Sequence, residues 1–580
     1  MKGERLYKMK SERLKVKGFS ILLFLSIFNF QLSICAQDTV YVSGSVQHDG
    51  LFPTTDVTNV RSTPSPSWAK TDHLSNNYLD LSVHWLHQDS NKVGFKGLHL
   101  DTRFEMNQWP LLGYDPLFAG HGLGRLSLTA DFQWGHVSAG DVYGQFGSGL
   151  ILNLYENRDL GIDNSLRGAK IDATPYKGIR LTLLGGKQRR YWNCYDDGAW
   201  GWNYRKDAAM GADLELNIGE WVAAMNEQDI DLTFGGSYVS KYEQQDTVLT
   251  IVDNKEYMYN LPRWVGAGDV RMELQAQGWD ALVEYAYKAN DPTMENGYSY
   301  RPGQALLLSL SYSRKGLSVL AQVKRSENMS FRSSRSETSL NGRLNLLPVF
   351  TPQHTYTLPA LYPYVTQYTD GEWAFQGEVC YTWARKTKMG GRYGTTMKIS
   401  AAHVQGLEEE GSWQVKTGKD GAYYTDVHLE LNKKITKRWT TNAMLLYIAY
   451  NRTVIEGHGE TVYAGSAIWE NKWQVTDQVA LRNELQYLFT RQHEGQWFYT
   501  MLELNLWHRL TVTGEIKYNI GGGPEERKEL FYSAGAAYTH GAHRLSAAYV
   551  KTSGGFNCAG GVCRYVPQEE GVKMSYEFTW

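Results

Sequence analysis

The segment Val572-Lys573-Met574-Ser575-Tyr576-Glu577-Phe578-Thr579-Trp580 decides the fold class. Val572, Met574, Tyr576, Phe578 and Trp580 are apolar, while Lys573, Ser575, Glu577 and Thr579 between them are polar. Strict period-two alternation puts one set on each face of a β-strand. The same pattern recurs far upstream. Leu79, Leu81, Val83 and Trp85 oppose Asp80, Ser82 and His84, and Leu502, Leu504 and Leu506 oppose Glu503 and Asn505.

A terminal amphipathic strand closing on an aromatic resembles the sorting signal of bacterial outer-membrane β-barrels. On that resemblance Tyr576, Phe578 and Trp580 form the insertion signal, and the barrel-insertion machinery and outer-membrane lipid become expected partners. The other end of the chain agrees. Lys2, Arg5, Lys8, Lys10, Arg13, Lys15 and Lys17 precede an apolar run from Phe19 to Ile34, followed by the small residues Cys35 and Ala36. That order reads as a secretory signal peptide over residues 1–36, cut after Ala36, with Met9 an alternative start. A lipid anchor on Cys35 would want a small residue where Ile34 stands. The expected location is the outer membrane of a didermous bacterium.

Composition narrows the class further. Beyond the signal no run of eighteen apolar residues recurs and mean hydropathy is −0.45, which excludes a helical membrane protein. Tyr, Trp and Phe make up 13% of the chain, with 57 Gly and 15 Pro, as an aromatic girdle around a polar lumen requires. A net charge of −2 argues against a nucleic-acid partner. Of the five cysteines, Cys35 leaves with the signal, and Cys194 and Cys380 read as unpaired or distant. Cys558 and Cys563 flank Ala559-Gly560-Gly561-Val562, close enough for a disulfide across a loop tip. Such a short ring contributes only about 2 kcal/mol, so its use is local stiffening. A metal clip is the weaker reading, because no histidine pair stands nearby.

With Trp580 at the periplasmic end, alternation sets the direction of every earlier strand. Short turns then fall at 540–542, 507–509, 475–478, 433–437, 314–316, 277–278 and 175–178. Long polar or Gly-rich segments fall between them, at 521–529, 451–460, 406–421, 289–303, 241–263 and 191–205. Short periplasmic turns alternating with long outer loops are the pattern of outer-membrane barrels. Segment 219–230 keeps the count in step only as a helical turn, since Glu220 to Glu227 favours helix over strand.

The fold class is therefore all-β: a single large antiparallel transmembrane barrel of about 24 strands, within a range of about 20–26. The expected organisation is a signal over 1–36, an N-terminal segment and first strand over 37–75, and the barrel over 76–580. The range reflects two open points: whether Val40 to Val46 pair, and whether 328–371 holds a further hairpin. About 40 residues before Asn76 are too few for a globular plug, so the lumen is wide unless loops fold into it. Segment 328–371, with Arg332, Arg335, Arg343 and a Pro- and Tyr-rich run, is the best candidate for an inserted loop. An outer loop in solvent is the equal alternative.

The densest constellation lies between Gly140 and Arg190. It includes Gly144-Gln145-Phe146-Gly147-Ser148-Gly149, Tyr155-Glu156-Asn157-Arg158, Asp163 to Gly168, and Gly186-Lys187-Gln188-Arg189-Arg190. This stretch, with Cys558 to Pro567, resembles an uncharacterised family of Gram-negative outer-membrane barrels known only as a domain of unknown function. The resemblance implies a fold and an address, and no activity. Glu156, Arg158, Asp163, Arg167, Arg180, Lys187, Arg189 and Arg190 are the candidate lumenal charges. They read either as a constriction that selects a solute or as a salt-bridged lumen that stabilises a wide barrel. Interleaved acids and bases favour the second.

No catalytic, cofactor or metal residues are expected. Gly147-Ser148-Gly149 lacks the full Gly-x-Ser-x-Gly elbow, and His84, His87 and His99 read as polar wall residues. The expected function is a channel for a small hydrophilic solute. The alternative is a non-transporting barrel in an export, biogenesis or surface-display assembly, with an outer-membrane protein partner held by loops such as Tyr191-Trp192 and Trp200 to Tyr204.

Overall fold

The computed structural model describes residues 31–35, 38–54, 72–87, 94–107, 109–190, 192, 204–244, 247–252, 255–337, 340 and 342–580. Of residues 1–36, read from sequence as a signal, only the backbone of Gln31–Cys35 lies among them, and it pairs with the start of the first barrel strand.

Twenty-four antiparallel strands close into one barrel. The first eight are β1 (Asp38–Pro53), β2 (Leu74–His87), β3 (Phe95–Asn107), β4 (Gly120–Phe132), β5 (Gly135–Val142), β6 (Leu166–Tyr176), β7 (Ile179–Arg189) and β8 (Tyr204–Asn217). Next come β9 (Ile230–Tyr242), β10 (Trp264–Ala276), β11 (Trp279–Lys288), β12 (Gly303–Arg314), β13 (Leu317–Glu327), β14 (Glu372–Trp383), β15 (Thr395–Gln405) and β16 (Ala422–Lys434). The last are β17 (Trp439–Asn451), β18 (Thr461–Thr476), β19 (Val479–Phe489), β20 (Gln496–Leu506), β21 (Leu510–Gly521), β22 (Leu530–His540), β23 (His543–Lys551) and β24 (Glu570–Thr579). Each pairs with its neighbour in sequence, and β24 returns to pair with β1.

Short and long connections alternate as the sequence requires. Gln277 and Gly278 join β10 to β11 with φ of 48° and 88°. Two positive φ values make the tight hairpin turn whose twist suits its flanking strands. The connection from β8 to β9 contains the single-turn helix α1 (Ala223–Asn226), so 219–230 is the expected helical turn.

The barrel begins earlier than the reading placed it. Asp38–Pro53 is a full wall strand, and Val40 to Val46 pair with β2 while Ser45 to Pro53 pair with β24. Its alternation is blurred by Gly44, Gly50 and several polar residues, so the pattern near Asn76 stood out first. The described residues of segment 328–371 form no further wall hairpin. Among its described residues the strand-like feature is a single bridge between Arg332 and Arg343.

The barrel seam depends on Gly44. The Trp580 amide donates to the Gly44 carbonyl at 3.0 Å, and the Gly44 amide donates back at 3.1 Å. A Cβ on Gly44 would overlap both the Trp580 ring and the Asp80 carbonyl. Phe578 stacks on Trp580 and His543, with centroids 5.4 and 4.3 Å apart.

Gly44→Val should therefore weaken the seam by about 1–3 kcal/mol, the usual cost of overpacking. Gly514→Ala, where an added methyl meets open space, should not. Comparing unboiled and boiled samples on denaturing gels, the Gly44 variant should show less of the fast-migrating folded barrel. Equal folded fractions would remove the seam argument.

Candidate functional site: a lumen filled by inserted loops

Strand alternation identifies the inner face. Arg103 and Glu105 are buried inside, while Phe104 and Met106 between them are 46% and 55% exposed outside. Near the end that carries the long loops, several strands lose this contrast. On β17, Met444, Leu446, Ile448 and Tyr450 are buried inward, yet Leu445 and Tyr447 are 61% and 46% exposed on the outer face. Apolar side chains on both faces mean that both faces meet apolar material. The inner partner is the chain itself.

Two connections fold into the lumen. The first, 143–165 between β5 and β6, buries Phe146, Leu150, Ile151, Leu152 and Leu154. The second, 328–371 between β13 and β14, buries Phe331, Leu344, Leu347, Leu358, Tyr362 and Tyr364 in the same cluster. Inner-face residues of β9 to β22, from Val239 to Phe531, complete this core. Complete burial of Leu150, Ile151 and Leu152 alone contributes roughly 5–9 kcal/mol at 1.5–3 kcal/mol per side chain.

The loops are also joined to each other. The Asn153 amide donates to the Leu344 carbonyl at 2.7 Å, and the Leu346 amide to the Gly149 carbonyl at 3.0 Å. Asn345 donates to the Leu150 and Met329 carbonyls at 2.9 and 2.7 Å. Gly147, at φ 49°, is packed so tightly that a Cβ would sit 2.5 Å from a Glu284 carboxylate oxygen. That carboxylate accepts the Ser148 amide at 3.0 Å. Glycine is the residue that permits both.

Ion pairs clamp the first loop to β2, β3 and β7. Arg103 meets Glu105 at 2.8 Å and Asp163 at 2.7 Å, and Arg189 meets the same carboxylates at 2.7 and 2.6 Å. Arg158 bridges Glu156 at 2.7 Å and Asp80 at 2.8 Å. The second loop is held differently. Lys241, Lys288 and Lys324, on the alternate strands β9, β11 and β13, are each buried and each donate to a loop carbonyl. Those carbonyls belong to Arg332, Ser330 and Pro348, at 2.8, 2.6 and 2.7 Å. Arg332 and Arg343 converge on Glu295 at 2.8 and 3.2 Å, and Arg335 meets Glu243 at 3.0 Å. Farther along, the Tyr356 hydroxyl donates to Glu470 at 2.9 Å and the Leu358 amide to Gln486 at 2.8 Å.

A third connection covers the first. Its hairpin, Gly555–Ala559 with Val562–Val566, holds the Cys558–Cys563 disulfide, with Cα atoms 4.0 Å apart. Val562 packs on Leu160 and Ile162, while Arg564 lies 3.8 Å over Tyr114 and donates to the Asp159 carbonyl.

A cavity of about 650 Å³ is lined by Tyr176, Arg180, Glu215, Asp231, Glu273 and Gln275 near the short turns. Arg180 is 3.8 Å from Glu215 and largely exposed there.

The sequence matches the model of a family of unknown function, DUF6029, over residues 15–580. The chain belongs to the DUF6029 family. No curated protein matches it. Among solved structures, this DUF6029 chain is similar to the siderophore receptor PirA from Acinetobacter baumannii, with 9% identity and a TM-score of 0.43 over 93% of this chain and 80% of that one. It is also similar to OccAB3 from Acinetobacter baumannii, with 8% identity and a TM-score of 0.34 over 94% and 100%. The copper transporter OprC gives 10% and 0.38 over 94% and 84%.

The DUF6029 structure sorts the eight candidate charges. Glu156, Arg158, Asp163 and Arg189 meet in the inner clamp, and Arg180 lines the open cavity. Arg167 and Lys187 are not lumenal. They pair across β6 and β7 on the face of Ala169, Ile171 and the exposed Leu183, opposite inward Leu166 and Leu184. One residue of register separates the two faces. Arg190 is exposed beyond the end of β7. Trp192 is a buried clamp residue that donates to Glu105 at 3.0 Å, and not a free contact surface. Tyr191, Cys194 and Trp200 to Asn203 lie outside the described residues. His84 and His99 do meet, at 2.6 Å, whereas His87 pairs with Asp38. The three wall lysines escaped the sequence reading because they are spread over three strands and only the fold brings them to one loop.

Arg189→Ala would strand Glu105 and Asp163 without one of their two guanidiniums. Breaking a buried pair in this way costs about 3–5 kcal/mol, and thermal unfolding of the detergent-solubilised barrel should show it. The clamp also has an acid limit. Burial by itself raises the Asp163 carboxyl, but Arg189 and Arg103 outweigh it and hold it well below the usual carboxylate range. A carboxyl depressed in the folded state stabilises above its unfolded value of about 3.9 and loses that contribution as pH falls through the folded value. Protease resistance of 143–165 should stay constant from neutral pH to about 4 and decline only in stronger acid. A decline already near pH 6 would contradict the assignment.

Proposed function

We propose that this protein is an outer-membrane barrel that conducts a small hydrophilic solute and is closed at rest by its own inserted loops. Its exposed apolar outer face meets lipid, and its short turns face the periplasm. Tyr576, Phe578 and Trp580 present the strand that the barrel-insertion machinery reads. The observation that carries the proposal is the shape of the interior. A polar cavity of about 650 Å³, bearing Arg180, Glu215, Asp231 and Glu273, opens at the short-turn end. Toward the long-loop end of the same barrel, the inserted segments 143–165 and 328–371 fill the interior. A closed barrel with a charged lumen and displaceable contents fits selective passage.

A second reading has its own support. Leu150, Ile151, Leu152 and Leu358 are completely buried, as in a permanent interior. That favours a non-transporting barrel serving as scaffold or subunit of an outer-membrane assembly.

Planar-bilayer recording separates the two. The folded wild type should show rare openings, and a variant with 350–364 replaced by a short Gly-Ser linker should show large, sustained steps. Arg180→Glu in that deletion background should shift selectivity toward cations. A wild type silent at every voltage beside a conducting deletion variant would favour the scaffold.

A further inference from the structure

Most carboxylates that hold the inserted loops are answered by Lys or Arg. Glu105 has Arg103, Asp163 has Arg189, Glu295 has Arg332, Glu243 has Arg335, Asp291 has Lys241 and Glu372 has Lys324. Asp426 is different. Its carboxylate is completely buried on the inner face of β16, and its charged or ionisable partners are two imidazoles. His354, from the inserted loop, approaches through Nε2 at 2.5 Å from Oδ2. His428, two residues along β16 and so on the same face, approaches through Nδ1 at 2.9 Å from Oδ1. The Tyr424 hydroxyl adds a long contact at 3.4 Å.

We propose that His354, Asp426 and His428 bind a divalent first-row transition metal, which ties the inserted loop to the barrel wall. The three ligand atoms lie within 4.8 Å of one another, the one such group of three among the described residues. The imidazoles stand 5.2 Å apart at 74°, so their nitrogens converge from different directions. Two nitrogens and one carboxylate oxygen suit zinc and its neighbours and disfavour calcium and magnesium, which take oxygen donors. Bonds of about 2.0–2.2 Å place tetrahedral ligands about 3.3 Å apart. The His354–Asp426 contact must therefore open by less than an ångström. A second feature points the same way. Ser400 faces His428 across β15 and β16, and its completely buried hydroxyl has no hydrogen-bond partner. A water completing the metal's coordination would give that hydroxyl a partner.

The bland alternative is a carboxylate merely shared by two imidazoles. It predicts no metal affinity, and the proposal is independent of whether the barrel conducts.

The test uses the full mature chain, refolded in detergent, stripped with chelator and titrated with Zn²⁺ against a chromophoric competitor. Wild type should bind one equivalent, and thermal unfolding should shift upward with Zn²⁺. His354→Ala should weaken binding at least 100-fold and abolish the thermal shift. It alters the loop and leaves the wall strand intact, so gel mobility should report a folded barrel. His354→Gln, which keeps packing and hydrogen bonding, should fail equally as a ligand. Co²⁺ substitution should give visible bands of low-symmetry cobalt in wild type and in His84→Ala, and not in Asp426→Asn. The site is overturned if wild type binds no Zn²⁺ at micromolar concentration. It is equally overturned if His354→Ala and His354→Gln bind like wild type, or if binding is lost in His84→Ala instead.

Discussion

A ring of 24 strands encloses more space than its own inward side chains can fill. Barrel diameter grows with strand number, and the interior must then hold water or more polypeptide. Here the half nearest the long loops holds polypeptide, and much else follows from that. The wall must be apolar on both faces where the loops pack. The loops must bring enough hydrophobic surface to form a core. Every charge they carry inward must meet its opposite, because an unpaired buried charge costs more than any one contact returns.

Apolar contact and charge divide the work. Leu150 to Leu152, Leu358 and the tyrosines supply most of the free energy that keeps the loops inside, by area removed from water. The ion pairs contribute less net stability, since desolvation offsets attraction, but they fix position. Arg103 and Arg189 both reach Asp163 only when 143–165 lies at one depth. Lys241, Lys288 and Lys324 reach three carbonyls only when 328–371 enters at one angle. Without them the same hydrophobic loops could settle in several registers.

The fold was legible because it rests on local periodicity. Alternation around Trp580, and the short and long connections read back from it, gave the antiparallel barrel and the order of its connections. The first strand was placed within 37–75, but its pairing was left open, because Gly44, which makes room for Trp580, also dilutes the alternation that marks a strand. The inserted loops were half legible. Arg332, Arg335 and Arg343 beside a Pro- and Tyr-rich run suggested burial of 328–371, but sequence offers no way to tell a lumen from solvent. The missed signal lies on the wall. Ala443 to Tyr450 and Ala305 to Leu308 are apolar without alternation, in strands whose outer faces already meet lipid on the barrel reading. Such stretches mark where something apolar sits inside. Arg167 and Lys187 show the converse error, since a charged residue counted by proximity sits on the wrong face when the register is off by one. His354 and Asp426, 72 residues apart, could not be joined from sequence at all.

The way the second loop is fastened constrains how it could leave. Its two stems are neighbours, with the Met329 amide donating to the Tyr368 carbonyl at 2.8 Å and Asn328 to Thr369 at 3.3 Å. Close to that neck the three lysines and the arginine pairs act on it, and all are charged. Toward the tip, the anchors are Tyr356, His354 and Tyr362, with Tyr362 reaching His493 at 3.3 Å. These anchors are tyrosine hydroxyls and one imidazole in place of Lys and Arg, so the tip is the weaker half. The tether at both ends also keeps the tip at high effective concentration over its own binding surface. Loss of one tip contact is therefore answered by rapid return, and lasting exposure of the lumen requires several to fail together. Opening by withdrawal of the tip alone preserves the charged neck and its buried pairs, whereas extraction of the whole loop would take Arg332 and Arg343 from Glu295 and Arg335 from Glu243 at once. Of the two routes only the first avoids leaving multiple charges buried and unpaired, which makes the tip, and not the neck, the mechanically relevant part of this barrel.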